Sequence, residues 1–215
     1  MVYNFVIPYR DRPDCLKKFL DVFPNFLLKN GITNYRVIVV DQSNNDLFNL
    51  GYLVNIGFNI LVRQTDYIYR PDDMFYFHPV DHFPINFDYS VKEEGAILGL
   101  CGDNIYPKIF GMRNSIFKKI IGMANFYWGH GREDDDLYYR LKVNEISATA
   151  RVGEFETLET QCSDGQSRVD RIEENTNLLN AVKTNGMLLR TGLSTINYRI
   201  QNVARHQESI FQVGV

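Results

Sequence analysis

Two short apolar runs with an amphipathic helical pattern between them constrain the fold more than any other feature of the sequence. Residues 5–8 and 37–40 have the length and composition of buried strands. Between them, apolar residues recur at helical spacing from Leu16 to Leu27, and the Asn-Gly pair at 30–31 ends the pattern. This order predicts a βαβ unit and an α/β protein with a parallel sheet. In such sheets ligands bind beyond the carboxyl ends of the strands.

Length and composition describe a globular chain. It has 215 residues with 45% hydrophobic and 13% aromatic residues, which predicts one domain over residues 1–215. A net charge of −3 without a basic cluster argues against a nucleic-acid partner. No apolar stretch reaches about 18 residues and no signal-peptide pattern precedes residue 5, so we expect a soluble, cytoplasmic protein with no membrane span. The sequence leaves the oligomeric state open.

Cysteine usage points to the same compartment. The three cysteines, Cys15, Cys101 and Cys162, are an odd number without a tight pairing pattern. We therefore expect free thiols in a reducing compartment.

The most distinctive stretch is an acidic turn at residues 127–141. Trp128 is followed by His130 between two glycines, Gly129 and Gly131, and four consecutive carboxylates then open a predicted helix at 133–136. Glycine lets a ligand approach the backbone closely, and carboxylates are stabilised at the positive end of a helix. The aromatic flank suits the apolar face of a sugar. The alternative is an ordinary acidic helix N-terminus without a ligand.

This turn resembles the signature of the inverting β-1,4-galactosyltransferases and their N-acetylgalactosaminyl relatives, Y-W-G-W-G-G-E-D-D-D-x-x-x-R-L. His130 stands where the family has its second Trp, and Arg132 where it has a Gly. The resemblance implies a GT-A type fold, with a mixed, mostly parallel sheet flanked by helices and a C-terminal β-hairpin. We expect that hairpin at residues 192–200 and 209–213, where side chains alternate.

Three further segments resemble the parts of this family that hold the UDP-sugar donor. The first is similar to I-P-F-R-x-R, the second to F-N-R-A-x-L-x-N-V-G-F, in which Leu50 replaces the family's Arg, and the third to F-H-D-V-D-L-L-P. Together with the glycine turn they imply these donor-binding residues: Pro8, Arg10, Arg12, Phe48, Val80 and Gly129. Without the resemblance, the two arginines read as solvated surface residues and residues 46–58 as an amphipathic core helix.

The same resemblance implies a divalent cofactor, Mn²⁺ (or Mg²⁺), held by Asp81. Pro79 replaces the first Asp of the family's Asp-x-Asp element, but the second, metal-binding Asp is retained as Asp81. A carboxylate at a strand end is the hard ligand that such an ion needs when it bridges two phosphates. The residues alone also allow another interpretation, a transition-metal hydrolase site built from His78, Asp81 and His82.

The remaining metal ligands of the family have no counterpart in the sequence. After residues 150–153, which resemble A-V-V-G, the family has a Met and a His or two His, and these positions fall on Thr157 and Thr160. Three nearby acids are candidate substitutes: Glu154, Glu156 and Glu159. They are equally compatible with a solvated strand face.

The resemblance implies that Asp134 is the catalytic base that takes the proton of the acceptor hydroxyl. It also implies contacts between a carbohydrate or glycan acceptor and these residues: Trp128, His130, Glu133 and Asp135. The predicted reaction is transfer of galactose or N-acetylgalactosamine from UDP with inversion. The alternative is a catalytically inactive sugar- or nucleotide-binding domain. The resemblance also implies an aromatic donor filter, for which Tyr106 and Phe110 are both candidates. Residues 164–174 are polar and charged, which predicts a mobile loop or lid that, by the resemblance, closes on donor binding.

Overall fold

The computed structural model describes residues 1–63, 68–90, 93–102, 107–158, 171–186 and 190–215. Within them, strands and helices follow one another in an order that alternates for most of the chain: β1 (Tyr3–Tyr9), α1 (Pro13–Lys29), β2 (Tyr35–Asp41), α2 (Leu50–Arg63), β3 (Met74–Phe77), β4 (His82–Asn86), β5 (Ala96–Cys101), β6 (Ile109–Arg113), α3 (Asn114–Lys119), α4 (Glu133–Val143), β7 (Ala148–Thr157), α5 (Ile172–Thr184), β8 (Asn202–Gln207) and β9 (Ile210–Gly214).

The strands form a mixed sheet, as the resemblance implied, in the order β4-β7-β5-β6-β3-β1-β2-β9-β8. β1 lies next to the central strand, β3, and runs parallel to both β2 and β3, which confirms the predicted βαβ unit. β2 also pairs parallel with β9, and β5 with β7. The other pairings described, β3 with β6, β5 with β6, β4 with β7 and β8 with β9, are antiparallel.

Each face of the sheet packs against helices, because successive side chains of a strand point to opposite faces. On one face, Phe5 and Ile7 of β1 join the apolar side of α1, which contributes Phe19 and Phe23. On the other face, Val6 of β1 packs with buried residues of α2, α3 and α4. Both clusters exclude water almost completely, so β1 is held from both sides and its carboxyl end is fixed in place.

Two expectations about the chain need correction. The C-terminal hairpin exists, but its first strand is β8 at Asn202–Gln207 and not 192–200. Residues before β8 pack on α2 instead, where the Tyr198 hydroxyl donates to Asn59 Oδ1 at 2.9 Å. The prediction of free thiols is wrong for Cys15, which is disulfide-bonded. An odd number of cysteines does not reveal such a pairing, and a disulfide removes the support that the cysteines gave to a reducing compartment.

Helices in the described part of the chain are all too short or too polar to cross a lipid bilayer.

Candidate functional site

A cleft of about 660 Å³ opens at the carboxyl ends of β1 and β3 and is closed on one side by the start of α4. It brings together residues that are far apart in the sequence. Those predicted for the donor and the metal line it: Pro8, Arg10, Arg12, Phe48, Val80, Asp81 and Gly129. So do four of those predicted for catalysis and the acceptor: His130, Glu133, Asp134 and Asp135.

The donor side of the cleft is built on the loop after β1 and the approach to α2. Arg10 Nη1 donates to the Asp46 carbonyl oxygen at 2.5 Å, and its guanidinium carbon lies 5.6 Å from the centroid of the Phe48 ring. The Gly129 amide donates to the Phe48 carbonyl oxygen at 2.9 Å. This hydrogen bond joins the glycine turn to the segment that carries the predicted donor contacts.

The predicted metal ligand Asp81 already has two partners. Its Oδ2 is 2.8 Å from Arg12 Nη1, and its Oδ1 is 2.8 Å from His82 Nδ1. Burial opposes ionisation of Asp81, but the contact with His82 and the charge of Arg12 hold its pKa below the ordinary value. The cleft therefore contains an ionised carboxylate in direct contact with Arg12.

The acidic turn reaches the cleft through an unusual backbone path. Three of the four residues 129–132 have a positive φ: 74° at Gly129, 118° at Gly131 and 73° at Arg132. Left-handed backbone is costly for any residue except glycine. The chain reverses direction here and delivers the first turn of α4 to the cleft.

The four consecutive carboxylates have four different environments. Glu133 Oε2 accepts a hydrogen bond from the Gly131 amide at 2.9 Å, which satisfies a donor of the turn. Asp135 is exposed and pairs with Arg132 at 3.0 Å. Asp136 is fully buried and forms an ion pair with Arg140. Asp134 is the carboxylate that is directed into the cleft without one of these structural partners.

The electrostatics of the cleft act most strongly on Asp134. Desolvation at the base of the cleft raises the pKa of its carboxyl to about 8, and the neighbouring charges of Glu133 and Asp135 act in the same direction. Lys108, which also lines the cleft, opposes this shift. A carboxyl group with a pKa near neutrality can accept and release a proton in the working pH range.

The chain is similar to known proteins over most of its length. Residues 2–91 match the family described as the N-terminal region of glycosyl transferase group 7, and residues 103–161 match the N-terminal domain of galactosyltransferase. The chain is 30% identical over 98% of its length to β-1,4-galactosyltransferase 7 of Drosophila melanogaster. The chain belongs to the β-1,4-galactosyltransferase family. It is also 27% identical to bovine β-1,4-galactosyltransferase 1 over 94% of its length.

Solved structures show the same fold. The catalytic domain of Drosophila β-1,4-galactosyltransferase 7 in complex with xylobiose has a TM-score of 0.79 and 22% identity, and the match covers 99% of this chain and 92% of that one. A mutant of the Drosophila enzyme, in complex with manganese, UDP-Gal and xylobiose, matches with a TM-score of 0.74. The chain spans 66% of the length of the fly relative and 51% of the bovine one.

Several departures from the galactosyltransferase pattern lie in the cleft. Leu50 lines it where the family has an Arg. Arg132, at the family's Gly position, adopts a left-handed backbone conformation that favours glycine. Its side chain is held by two hydrogen-bonded partners. Its Nε donates to Thr176 Oγ1 at 2.9 Å, in addition to the pair with Asp135. The contacts of Arg132 thus offset a strained backbone.

Trp128 is the exception among the predicted site residues. It is half-buried and does not line the cleft, whereas His130 does. The left-handed Gly129 between them turns the chain. The structure therefore gives no support to the predicted contact between Trp128 and an acceptor.

The hydrolase interpretation of the two histidines is wrong. His78 is completely buried, and its Nδ1 donates to the Pro79 carbonyl oxygen at 2.7 Å while its Nε2 accepts from the Tyr89 hydroxyl at 2.8 Å. Burial lowers its pKa to about 3. Both ring nitrogens are therefore occupied by protein groups, and a neutral His78 is part of the core.

Two of the three acids named as candidate substitute metal ligands do not reach the cleft. Glu154 and Glu156 are exposed, neither lines it, and Glu156 pairs with Lys18 of α1. Thr157 pairs in register with His82 across β4 and β7. Glu159 and Thr160 lie outside the described residues, as do Tyr106 and most of the predicted closing loop. Phe110, the other candidate donor filter, lines the cleft beside Tyr138.

Sequence reasoning missed Lys108, Tyr138 and Ile172, which all line the cleft. Ile172 begins α5, which docks on the acidic turn: the Arg171 amide donates to the His130 carbonyl oxygen at 3.1 Å, and Asn175 Nδ2 donates to the Gly131 carbonyl oxygen at 2.8 Å. No local pattern marks these residues. Tyr138 lies one helical turn after Asp134 on α4.

Proposed function

We propose that this chain is an inverting glycosyltransferase that moves galactose or N-acetylgalactosamine from a UDP-sugar to a hydroxyl group of a carbohydrate or glycan acceptor. The observation that carries the proposal is the position of Asp134. It is the one acid of the run 133–136 that is directed into the cleft without a structural partner, and its pKa is close to neutrality. We also propose that residues 1–215 act as one catalytic domain.

The cleft contains groups that suit both substrates. Arg10 and Arg12 line it, and planar guanidinium groups suit the oxygens of a diphosphate. Asp134 and His130 line the same cleft, and in this proposal they face the acceptor sugar. The Asp134 carboxylate takes the proton of the acceptor hydroxyl as that oxygen attacks the anomeric carbon from the side opposite to UDP. The configuration at that carbon is therefore inverted.

The ionised form of Asp134 is the form that acts as a base. Burial disfavours this form, while Lys108 favours it. A hydroxyl group held within hydrogen-bond distance of Asp134 stabilises the carboxylate further, because it donates to the charged oxygen. Lys108 therefore belongs to the proposed machinery together with Asp134.

We propose a divalent cofactor, Mn²⁺ (or Mg²⁺), that contacts Asp81. The residues present fit such an ion in part, because Asp81 is an ionised, hard oxygen ligand in the cleft. Within the described residues no group of three or more His, Cys, Asp or Glu side chains is arranged to hold a metal ion. Phosphate oxygens and water are therefore the expected source of the other ligands. When bound, the ion neutralises negative charge that develops on the departing UDP.

The substrates of the Drosophila relative supply the first experiment. UDP-Gal and xylobiose are incubated with the protein and Mn²⁺, and the product is analysed by mass spectrometry and NMR. We expect a galactosylated product with inverted configuration, and UDP-GalNAc is tested in parallel.

Asp134→Asn should lose transfer by about a thousandfold or more while retaining UDP binding, because the base contacts the acceptor and not the nucleotide.

An inactive binding domain is the competing function. In that case UDP with Mn²⁺ raises the melting temperature, as any ligand of the native state does, but neither sugar transfer nor hydrolysis of a UDP-sugar follows. If UDP with Mn²⁺ at millimolar concentration leaves the melting temperature unchanged, both the enzyme and the nucleotide-binding proposals fail.

A further inference from the structure

Both oxygens of the Asp81 carboxylate are engaged by protein groups that lie in the same cleft. Arg12 holds Oδ2 and His82 holds Oδ1, each at 2.8 Å. The side chains of Arg12, Asp81 and His82 are 23%, 13% and 4% exposed, so bulk water screens these contacts only weakly. We refer to these three residues as the Asp81 cluster.

The Asp81 cluster is unfavourable for a metal ion that arrives alone. A divalent ion has to compete with the Arg12 guanidinium for Oδ2, and the two positive charges repel each other at short range in a partly buried site. The described residues provide no cluster of further ligating side chains to compensate for this repulsion. The positively charged Arg12 guanidinium therefore already occupies the position beside Oδ2 that a metal ion would take.

A diphosphate changes this balance because it offers Arg12 a second partner. Arg12 lies at the start of α1, its side chain lines the cleft, and guanidinium binds phosphate oxygens in the same bidentate manner as it binds carboxylates. A diphosphate held beside Arg10 and Arg12 attracts the Arg12 guanidinium away from Asp81. It also brings negative charge that attracts a metal ion. Both effects favour a metal contact at Oδ2.

We propose that Arg12 is an exchange residue, which blocks Asp81 in the nucleotide-free protein and releases it when a nucleoside diphosphate binds. The inference rests on the proposed function, and it adds a binding order that the function does not require: the metal ion enters with the nucleotide or after it. Because binding effects between two ligands are reciprocal, the metal raises the affinity for UDP by the same factor.

The test measures Mn²⁺ binding by electron paramagnetic resonance of the free ion, first without nucleotide. The variants are the unsubstituted protein, Arg12→Gln and Arg10→Gln. Arg10→Gln is the matched control, since it removes one positive charge from the same cleft but no contact with Asp81. We expect Arg12→Gln to bind Mn²⁺ about tenfold more tightly than the unsubstituted protein, which is the factor that a partly buried ion pair represents. Arg10→Gln should change the affinity by less than about threefold.

Two further measurements make the assignment specific to Asp81. Adding Asp81→Asn to Arg12→Gln should remove the gain in Mn²⁺ affinity. In the unsubstituted protein a saturating concentration of UDP should lower the Mn²⁺ dissociation constant by about tenfold or more, and this coupling should shrink in Arg12→Gln. Arg12→Lys, which keeps the charge without the planar fork, serves as a milder variant with an intermediate gain in case Arg12→Gln unfolds.

Equal Mn²⁺ affinity in Arg12→Gln and the unsubstituted protein would overturn the proposal. An equal gain in Arg10→Gln would do so as well, because it would reveal a general effect of charge. A failure of the proposed function gives a different result, because UDP then affects Mn²⁺ binding in none of the proteins. The comparison of Arg12→Gln with Arg10→Gln without nucleotide still tests the Asp81 cluster in that case.

Discussion

Asp136 and Arg140 form an ion pair in the interior of the protein, with Arg140 Nε 2.5 Å from Asp136 Oδ2 and both side chains only 1% exposed. The two residues are one helical turn apart on α4. Arg140 also donates through Nη1 to the carbonyl oxygen of Thr191 at 2.9 Å. The pair therefore fixes α4 against the segment that precedes the hairpin, and with it the direction in which Asp134 enters the cleft.

Breaking this pair on one side should strongly destabilise the protein. Asp136→Asn leaves the Arg140 guanidinium buried without its counter-charge, and we expect the free energy of unfolding to fall by about 3–5 kcal/mol. Urea denaturation followed by circular dichroism measures the change. Arg113→Gln is the matched control, since it breaks a more exposed pair with Asp72, and its cost should stay below about 1 kcal/mol. Similar losses in both variants would contradict the structural role of the buried pair.

The raised pKa of Asp134 predicts how stability depends on pH. The folded protein keeps this carboxyl protonated up to about pH 8, whereas the unfolded chain ionises near the ordinary value of 3.8. Stability contributed by this group is therefore present below pH 3.8 and is lost as pH rises towards 8. Asn does not ionise, so Asp134→Asn does not lose stability as pH rises. The melting temperature of this variant should therefore exceed that of the unsubstituted protein at pH 9 and match it at pH 4.

A difference of about 3 °C or more at pH 9 is expected, and it is smaller than complete burial would give because the cleft is open to water. Differential scanning calorimetry across this pH range measures it. Asp72→Asn, which replaces an exposed carboxylate, should show no such trend. A stabilisation by Asp134→Asn that is the same at pH 4 and pH 9 would rule out the titration of Asp134 as its cause.

Lys108 should control the pH dependence of activity. The base form of Asp134 is needed for transfer, so kcat/KM should rise with pH through the pKa of Asp134 in the free enzyme. Lys108→Met removes the positive charge that favours the ionised form, and the rising limb should move to higher pH. Lys108→Arg should restore the position of that limb. A lower plateau with an unchanged limb in Lys108→Met would mean that Lys108 contacts a substrate and does not set the charge of Asp134.

Two substitutions of Arg132 distinguish the cost of its left-handed backbone from the stabilisation that its side-chain contacts provide. At φ 73° both Arg132→Gly and Arg132→Ala lose the contacts with Asp135 and Thr176, but only glycine is relieved of the left-handed strain. Arg132→Ala should therefore be less stable than Arg132→Gly by about 1 kcal/mol. Urea denaturation of the two variants gives this difference directly. Equal stability would show that the turn relaxes when the side chain is removed.

The sequence was sufficient to predict the central part of the fold and the position of the cleft. Continuous apolar runs and a helical pattern between them define a βαβ unit, and parallel strands place their carboxyl ends at one edge. Arg12, Asp81 and Asp134 follow such ends or open a helix beside them, so their meeting in one cleft follows from topology.

The arrangement within the cleft depends on contacts that no local pattern contains. The resemblance singled out Asp134 among the four acids, but no local pattern showed that Asp136 is buried while Asp134 faces the cleft. The spacing of four residues between Asp136 and Arg140 was a usable signal for their pairing. By contrast, Lys108 and Ile172 reach the cleft from segments distant in the sequence, and the pairing of Asp81 with Arg12 joins residues that are 69 positions apart.

The place of β9 in the sheet affects how the protein can be synthesised. β9 lies between β2 and β8 and pairs in parallel with β2, so that Val37 faces Ile210. During translation β2 emerges early and keeps an unpaired, strongly apolar edge until the last strand has left the ribosome. The sheet therefore stays incomplete at this edge until residues 210–214 have left the ribosome. Slower synthesis at low temperature, or a chaperone that shields the β2 edge, should raise the yield of folded protein, and deletion of residues 210–214 should send the chain into aggregates.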